Sequence, residues 1–452
     1  MGRLWNIDSG ELVKRMLVIA NLYHASPRVP ALLTFLGEYG WRATIVTPPL
    51  GADAESLLGL PPDFSRYVDI APAPYRGDVF WILRKLLALF GFSSQSSYTE
   101  QLKDRVGGGR AGKSWVDRLM LAYQMLLAIP DTEWPWYRSA VKVASEQLKQ
   151  HPFDVILSSS PVPTVHFVAA TLKKRHDIPW VADLRDLWSQ NHNYAFPAPR
   201  RWLDRRLELR TLESADLLTT ISRPLEEKLK SLHGDRIAVI RNGYQPMADA
   251  LVTMPLPARF TISYTGTIYA GKQDPSRLLV ALRNLIKAGR VAPERVAVNF
   301  YGKHDSMLRL LVNELGLEDV VAQKGMFPRD EIRRRQKESH LLLLLQWEDA
   351  SEEGIFPLKL FEYLDSGRPV LATGGLASGE IADVLNETRA GVVAVTMEEV
   401  EQTLLKAYEV FLAGNPPEYR ADLTVIARYS YSGCASRLSD YLRCVIEGRE
   451  CK

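Results

Sequence analysis

LLLLLQWEDASEEGIFPLKLFEYLDSGRPVLATGG, residues 341–375, decides the reading of the chain. Its run of consecutive leucines from Leu341 to Leu345 reads as a strand buried on both faces. A polar loop follows, and Pro357 opens a helical run carrying Lys359, Phe361, Glu362 and Leu364. Gly367, Arg368 and Pro369 stop it, and residues 370–373 resume as a strand into Gly374 and Gly375. Strand, helix and strand with short connections form the βαβ unit of a parallel sheet. Ligands bind such sheets beyond the carboxyl ends of their strands. That rim would carry Gln346, the acidic loop, the start of the Lys359 helix and the Gly374-Gly375 turn, and a small guest with an anionic part is expected there.

The same rhythm runs through most of the 452 residues, a length that suits two α/β domains. Basic and acidic side chains nearly cancel, 56 against 53, so bulk charge gives no argument for nucleic acid. Three cysteines, Cys434, Cys444 and Cys451, crowd the end without metal-knuckle spacing, which suggests a reducing compartment. The start has no secretory pattern, and no uncharged apolar run is long enough for a spanning helix.

Upstream, residues 16–20 (MLVIA) form the first strand, 21–28 its ligand-facing loop, 30–39 a helix and 43–47 the next strand. That loop lacks the glycine fingerprint of dinucleotide sites, so hydride transfer is disfavoured. It offers His24, Ser26 and Arg28 toward an anion at a helix start. The rhythm breaks over 62–140, where two apolar-basic segments, 80–92 (FWILRKLLALFGF) and 115–129 (WVDRLMLAYQMLLAI), flank a glycine-rich stretch. They read either as helices covering the sheet or as faces lying in a membrane interface. GGGRAGKS at 107–114 is a chance match to a phosphate loop, because its glycine spacing is wrong and no strand precedes it.

Strands resume at 153–158, 179–182, 215–221 and 237–240. The second of these empties into Asp183, Leu184, Arg185 and Asp186, with Arg185 expected to pair with one of the carboxylates. Trp188 and residues 191–194 supply aromatic and polar chemistry for a sugar. An irregular stretch, 246–260, reads as the linker, and a second α/β domain starts at Thr261. Its first strand runs into a loop from Gly266 to Gly271 followed by Lys272, where free amides and a lysine suit a diphosphate. Lys359 can meet the same phosphates, and Glu362, near it on the same helix, can accept the hydroxyls of a ribose. Residues 423–447 read as one closing helix.

PWVADLRDLW (179–188), TTISRPL (219–225), IRNGY (240–244), YTGTIYAGKQDP (264–275) and KLFEYLDSGRPVLATGG (359–375) resemble the family-4 type of retaining glycosyltransferases, nearer to the bacterial surface-polysaccharide branch. The resemblance implies the GT-B fold, in which two Rossmann-like parallel-sheet domains face each other across a cleft. An acceptor-binding domain would cover 14–245, with the atypical insertion at about 75–130. A nucleotide-sugar domain would cover 258–420, and a helix over 421–452 would cross back toward the first domain. The implied donor is a nucleoside-diphosphate sugar, with no cofactor or obligatory metal. Gly266, Lys272, Lys359, Phe361, Glu362, Gly374 and Gly375 match its donor site. The first glutamate of the family's pair falls on Gly354, so Glu353 or Glu352 would stand in. Arg185-Asp186 occupies the place of the family's histidine-aspartate pair, leaving Asp183 or Asp186 to orient an acceptor hydroxyl. Acceptor contacts fall to His24, Arg28, Arg185, Trp188 and His192.

The expected activity is transfer of a hexosyl or N-acetylhexosaminyl group to a lipid-linked or saccharide acceptor, in O-antigen or capsule assembly. The place expected is the cytoplasmic face of a bacterial plasma membrane, held peripherally by the apolar-basic segments. A nonhydrolysing sugar-nucleotide epimerase and a noncatalytic GT-B scaffold are the competing readings. The epimerase should show more histidines and carboxylates at its site than His24 and His192 provide.

Overall fold

In the computed structural model the described residues are 13–51, 58–75, 77–79, 125, 128–191, 194, 196–246, 255–348, 354 and 357–449. Nearly all of the two apolar-basic segments, with His192, Glu352 and Glu353, lies outside them. The chain forms two compact units, one comprising the chain up to Asn242 and again from Tyr431, the other Gly243–Ser430.

The first unit is a fully parallel sheet of seven strands in the order β3-β2-β1-β4-β5-β6-β7. They are β1 (Lys14–Ile19), β2 (Trp41–Thr47), β3 (Val68–Pro72), β4 (Val155–Ser159), β5 (Trp180–Asp183), β6 (Leu217–Thr220) and β7 (Ile237–Val239). Successive β1 side chains go to opposite cores: Met16 and Val18 to one face, Leu17 and Ile19 to the other. Helix α1 (Arg28–Glu38) and the terminal helix Tyr431–Ile446 belong to the first face. Helices α2 (Tyr137–Gln150) and α3 (Thr164–His176) belong to the second. Further along are α4 (Ala198–Leu212) and α5 (Arg223–His233), the latter opened by Ser222, whose hydroxyl accepts from Leu225 N.

The second unit is a parallel sheet of six strands in the order β10-β9-β8-β11-β12-β13. Its strands are β8 (Phe260–Thr265), β9 (Val296–Tyr301), β10 (Val321–Gly325), β11 (Leu341–Leu345), β12 (Val370–Thr373) and β13 (Gly391–Ala394). Interleaved are α6 (Ser276–Lys287), α7 (Ser306–Leu315), α8 (Arg329–Lys337), α9 (Leu358–Asp365), α10 (Glu380–Thr388) and α11 (Met397–Leu412). The leucine run is buried on both faces as expected, with Leu341, Leu343 and Leu345 in one core and Leu342 and Leu344 in the other. Counted from β8, this is the 3-2-1-4-5-6 order of dinucleotide-type sheets.

Two expectations need correction. Residues 68–72 (VDIAP) form an edge strand, β3, inside the stretch read as a break in the rhythm. A half-exposed edge tolerates Asp69, which pairs with Arg42 of β2, and a terminal proline, so the apolar signal is weak. The closing stretch is two helices, Leu423–Ala427 and Tyr431–Ile446, broken where Arg428, Tyr429 and Ser430 turn the chain.

Candidate functional site

In the second unit the strand order reverses between β8 and β11, which opens a crevice at their carboxyl ends. Tyr264 is fully buried there, and its hydroxyl reaches Thr267 O at 2.9 Å, fixing the loop that starts at Gly266. Gln273 ties that loop to β11 by donating Nε2 to Leu345 O at 2.8 Å. Lys359, in the first turn of α9, stands over the Tyr264 ring with Nζ 4.0 Å from its centroid and donates to Tyr264 Oη at 2.6 Å. A methyl group on Gly266 would sit 2.9 Å from that ammonium. Burial lowers the Lys359 pKa to about 7, with Glu362 pulling the other way. A cation so placed, beside a loop and short of a full counter-charge, suits an incoming phosphate.

The remaining residues of the rim have other partners. Lys272 Nζ lies 4.4 Å from the centre of the Trp347 indole, and Tyr269 lies beside the same ring at 5.6 Å. Glu348 accepts from Arg277 Nη2 at 2.9 Å. A Cβ on Gly374, where φ is +79°, would come within 2.4 Å of Glu348 Oε1, so this turn requires glycine. Gln346 secures the turn by donating to Gly374 O at 2.8 Å. Gly375 packs its backbone against Gln346 and Trp347. Glu362 accepts from Arg329 Nη2, at the start of α8, at 2.9 Å. Phe361 is a correction: its side chain is fully buried and packs on Tyr429, 5.9 Å between centroids, so it supports the helix from below. Gly354, where the family pattern places a glutamate, has φ +100°.

In the first unit the strand order reverses between β1 and β4. After β1 the chain makes a short helical turn, Leu22–Ala25, where a loop was expected. His24 Nε2 there lies 2.6 Å from Glu133 Oε1. Asn21 Nδ2 donates to both Glu133 oxygens, at 3.0 and 2.8 Å. Glu133 is buried while His24 is partly exposed, so a carboxylate orients an imidazole that solvent reaches. Asp131 supports this pair: its Oδ1 accepts from Glu133 N at 2.7 Å, and its Oδ2 accepts from Thr164 N at 2.6 Å. Burial pushes the Asp131 carboxyl up to about 6.

Several expected acceptor and catalytic side chains are instead internal braces. Asp183 is buried and accepts from Arg28 Nη2 at 3.3 Å, Thr219 Oγ1 at 2.9 Å and Ser159 Oγ at 2.7 Å. Arg28 is itself buried and also donates to Ile240 O at 2.7 Å. Arg185 does not pair with Asp183: it donates to Ser160 O at 3.0 Å and His24 O at 2.8 Å, binding the loops after β4 and β1 together. Asp186 is exposed. Trp188 is buried edge-on to Phe167 at 5.7 Å.

Of the residues named from sequence, then, Gly266 and Lys359 come together directly, as do Arg28 and Asp183, Gly374 and Gly375 form one turn, and His24 and Arg185 are joined through a backbone oxygen. Tyr264, Gln273, Glu348 and Glu133 were missed. Tyr264 and Glu348 had a readable signal, since polar side chains sit at or just past the ends of β8 and β11; Gln273 and Glu133 had none. Among the described residues there is no cluster of histidine, cysteine and carboxylate groups able to hold a metal ion, and no helix long and apolar enough to cross a membrane.

Residues 111–246 match the sequence pattern of Glycosyltransferase Family 4. No curated protein matches the sequence. Among solved structures, a glycosyltransferase from Rickettsia africae ESF-5 superposes with a TM-score of 0.59 at 13% identity, covering 96% of this chain and 99% of that one. Anabaena Alr3699/HepE, in complex with UDP and glucose, gives 0.58 at 14%, covering 95% and 99%. Sucrose-phosphate synthase from Thermosynechococcus elongatus gives 0.56 at 15%, covering 96% and 100%. Two parallel-sheet units of this kind, with these neighbours, define the GT-B fold.

Proposed function

We propose that this chain is a retaining glycosyltransferase that moves a sugar from a nucleoside-diphosphate sugar to a hydroxyl of a lipid-linked or saccharide acceptor in surface-polysaccharide assembly. The observation that carries the reading is Lys359, desolvated over Tyr264 and standing against Gly266 at the switch point of the second sheet. In glycosyl transfer the bond from the anomeric carbon to the diphosphate breaks as an oxocarbenium-like centre forms. Negative charge grows on the leaving phosphate, and an ammonium already stripped of water stabilises it strongly. Lys272 supplies a second cation from the other side of the Gly266 loop. Glu362 takes the ribose hydroxyls once its hydrogen bond to exposed Arg329 is exchanged for them. Attack from the face that the leaving group vacates lets a donor phosphate oxygen receive the acceptor's proton, so no protein nucleophile is needed.

Acceptor contacts belong to the first unit. With Asp183 and Arg28 committed to each other, the groups available to a hydroxyl are His24, oriented by Glu133, and exposed Asp186. The test is a mass-spectrometric screen of nucleotide sugars for binding and slow hydrolysis, repeated on Glu362→Gln. Hydrolysis of one donor to nucleoside diphosphate and free sugar is expected. Loss of a charged acceptor for the ribose should weaken that donor by roughly 1.5 to 3 kcal/mol. Conversion of the donor to an epimer would make the chain an epimerase, and binding without turnover of any donor would make it a binding scaffold.

A further inference from the structure

The outward face of α4 is built against the ordinary pattern of a solvated helix. Both acids in its sequence, APRRWLDRRLELRTL, point inward and are buried. Asp204 accepts from Arg200 Nε at 2.9 Å and from Tyr194 Oη at 2.6 Å. Glu208 accepts from Ser189 N at 3.0 Å and pairs with His233 at 3.3 Å. What faces water is Arg201, Trp202, Arg205, Arg206, Leu209 and Arg210. The spacing of these residues, three and four apart, makes one continuous stripe. None of its arginines forms an ion pair among the described residues.

Trp202 is 57% exposed near the start of the stripe, with the Arg206 guanidinium 4.0 Å over its ring and Leu209 37% exposed beyond it. An indole more than half exposed, among guanidinium groups with no carboxylate partner among the described residues, leaves most of its apolar surface in water. At a lipid headgroup layer each part is satisfied: the indole enters the interface, and the arginines meet phosphates as bidentate donors. Arg200, in the first turn of α4, donates to Met125 O at 2.8 Å and Ala128 O at 2.5 Å. It thereby fastens the start of α4 to the backbone at Met125 and Ala128.

We infer that the Arg201-Trp202-Arg205-Arg206-Leu209 face of α4 lies on a bilayer surface bearing anionic phospholipids. This rests on the reading of a lipid-linked acceptor above and names the surface that would keep the enzyme beside it. Each arginine near such a surface strengthens partitioning about fivefold, and high salt screens the gain.

The experiment is flotation of the full chain with vesicles of phosphatidylglycerol and phosphatidylcholine, or of phosphatidylcholine alone, at low and high salt. The native chain should float with the anionic vesicles at low salt. Arg201→Gln, Arg205→Gln and Arg206→Gln together should weaken that binding roughly a hundredfold, and Trp202→Ser should weaken it severalfold at either salt. Because these side chains are exposed, thermal transitions should stay in place, which separates lost contact from lost fold. A native chain that never floats overturns both this assignment and the membrane placement, while donor hydrolysis, measured apart, still stands or falls alone. Native and variant chains that float equally overturn the assignment to α4 only. Equal binding to phosphatidylcholine alone, or a preference for double-stranded DNA over anionic vesicles, overturns the headgroup-phosphate argument.

Discussion

Lys359 shows how much one residue's meaning depends on what surrounds it. The sequence places a lysine at the start of a helix near a ligand rim, a position that ordinary solvent lysines share. Packing over Tyr264 makes it different, because burial lowers its pKa to about 7. In the unfolded chain a lysine titrates near 10.4. Between about pH 7 and 10 the unfolded chain therefore holds a proton that the folded chain has released. The penalty for burying the charge is complete below pH 7 and disappears as the pH rises to about 10. Lys359→Met should accordingly raise the thermal transition more at low pH than at high pH. Donor binding should respond in the opposite sense, since a diphosphate diester recruits the charged form. Affinity for the nucleotide sugar should fall roughly tenfold between about pH 7 and 8.5, and calorimetry in buffers of different ionisation enthalpy should detect proton uptake. A flat affinity across that range would place Lys359 outside the phosphate site. The same dependence on surroundings hid the role of Asp183. The resemblance implied that Asp183 or Asp186 orients an acceptor hydroxyl, but whether Asp183 is free or held by Arg28, Ser159 and Thr219 depends on residues far away in the chain.

At the scale of elements, legibility followed burial. β11 and β12 were readable to the residue because strands covered on both faces are continuous apolar runs. β3 was not, because an exposed edge leaves only a weak pattern. Loops were read by composition alone, which finds glycines without saying what each one clears. Gly302 is the clearest instance. It ends β9 with φ +152°, and a Cβ there would stand 2.2 Å from Gly266 O. Nothing in its local sequence marks it as part of a ligand site, yet it sets the height of the loop beneath Lys359. Gly302→Ala must displace the Gly266 peptide or distort β9, at a cost of about 1 to 3 kcal/mol in stability. It should also weaken donor binding, although residue 302 would touch no ligand. The comparison that decides is with Gly316→Ala, a left-handed helix end with open space around it, which should cost stability with no loss of donor affinity. If both variants keep full affinity, the loop's height does not matter to the site.

At the scale of the whole molecule, the chain builds one parallel sheet, then a second, and returns its last helix to the first. The return is a packing necessity. Tyr431, Cys434, Ala435, Leu438 and Leu442 are buried in the same core as Met16, Val18 and Ala43. Trp41 Nε1 donates to Ser439 Oγ at 2.9 Å, and Arg443 donates to Tyr39 O at 3.1 Å. The first unit thus waits for residues made last, while the second is continuous in sequence. Leu438→Ala and Leu442→Ala should each destabilise the first unit by about 2 to 5 kcal/mol. Donor stabilises only what binds it, so added nucleotide sugar labels the second unit's calorimetric transition by raising it. In the double variant the unlabelled transition should fall by many degrees while the labelled one keeps its position and its response to donor. Two transitions falling together would mean that the units unfold as one cooperative body, and that the closing helix stabilises the donor site as well as the core it covers.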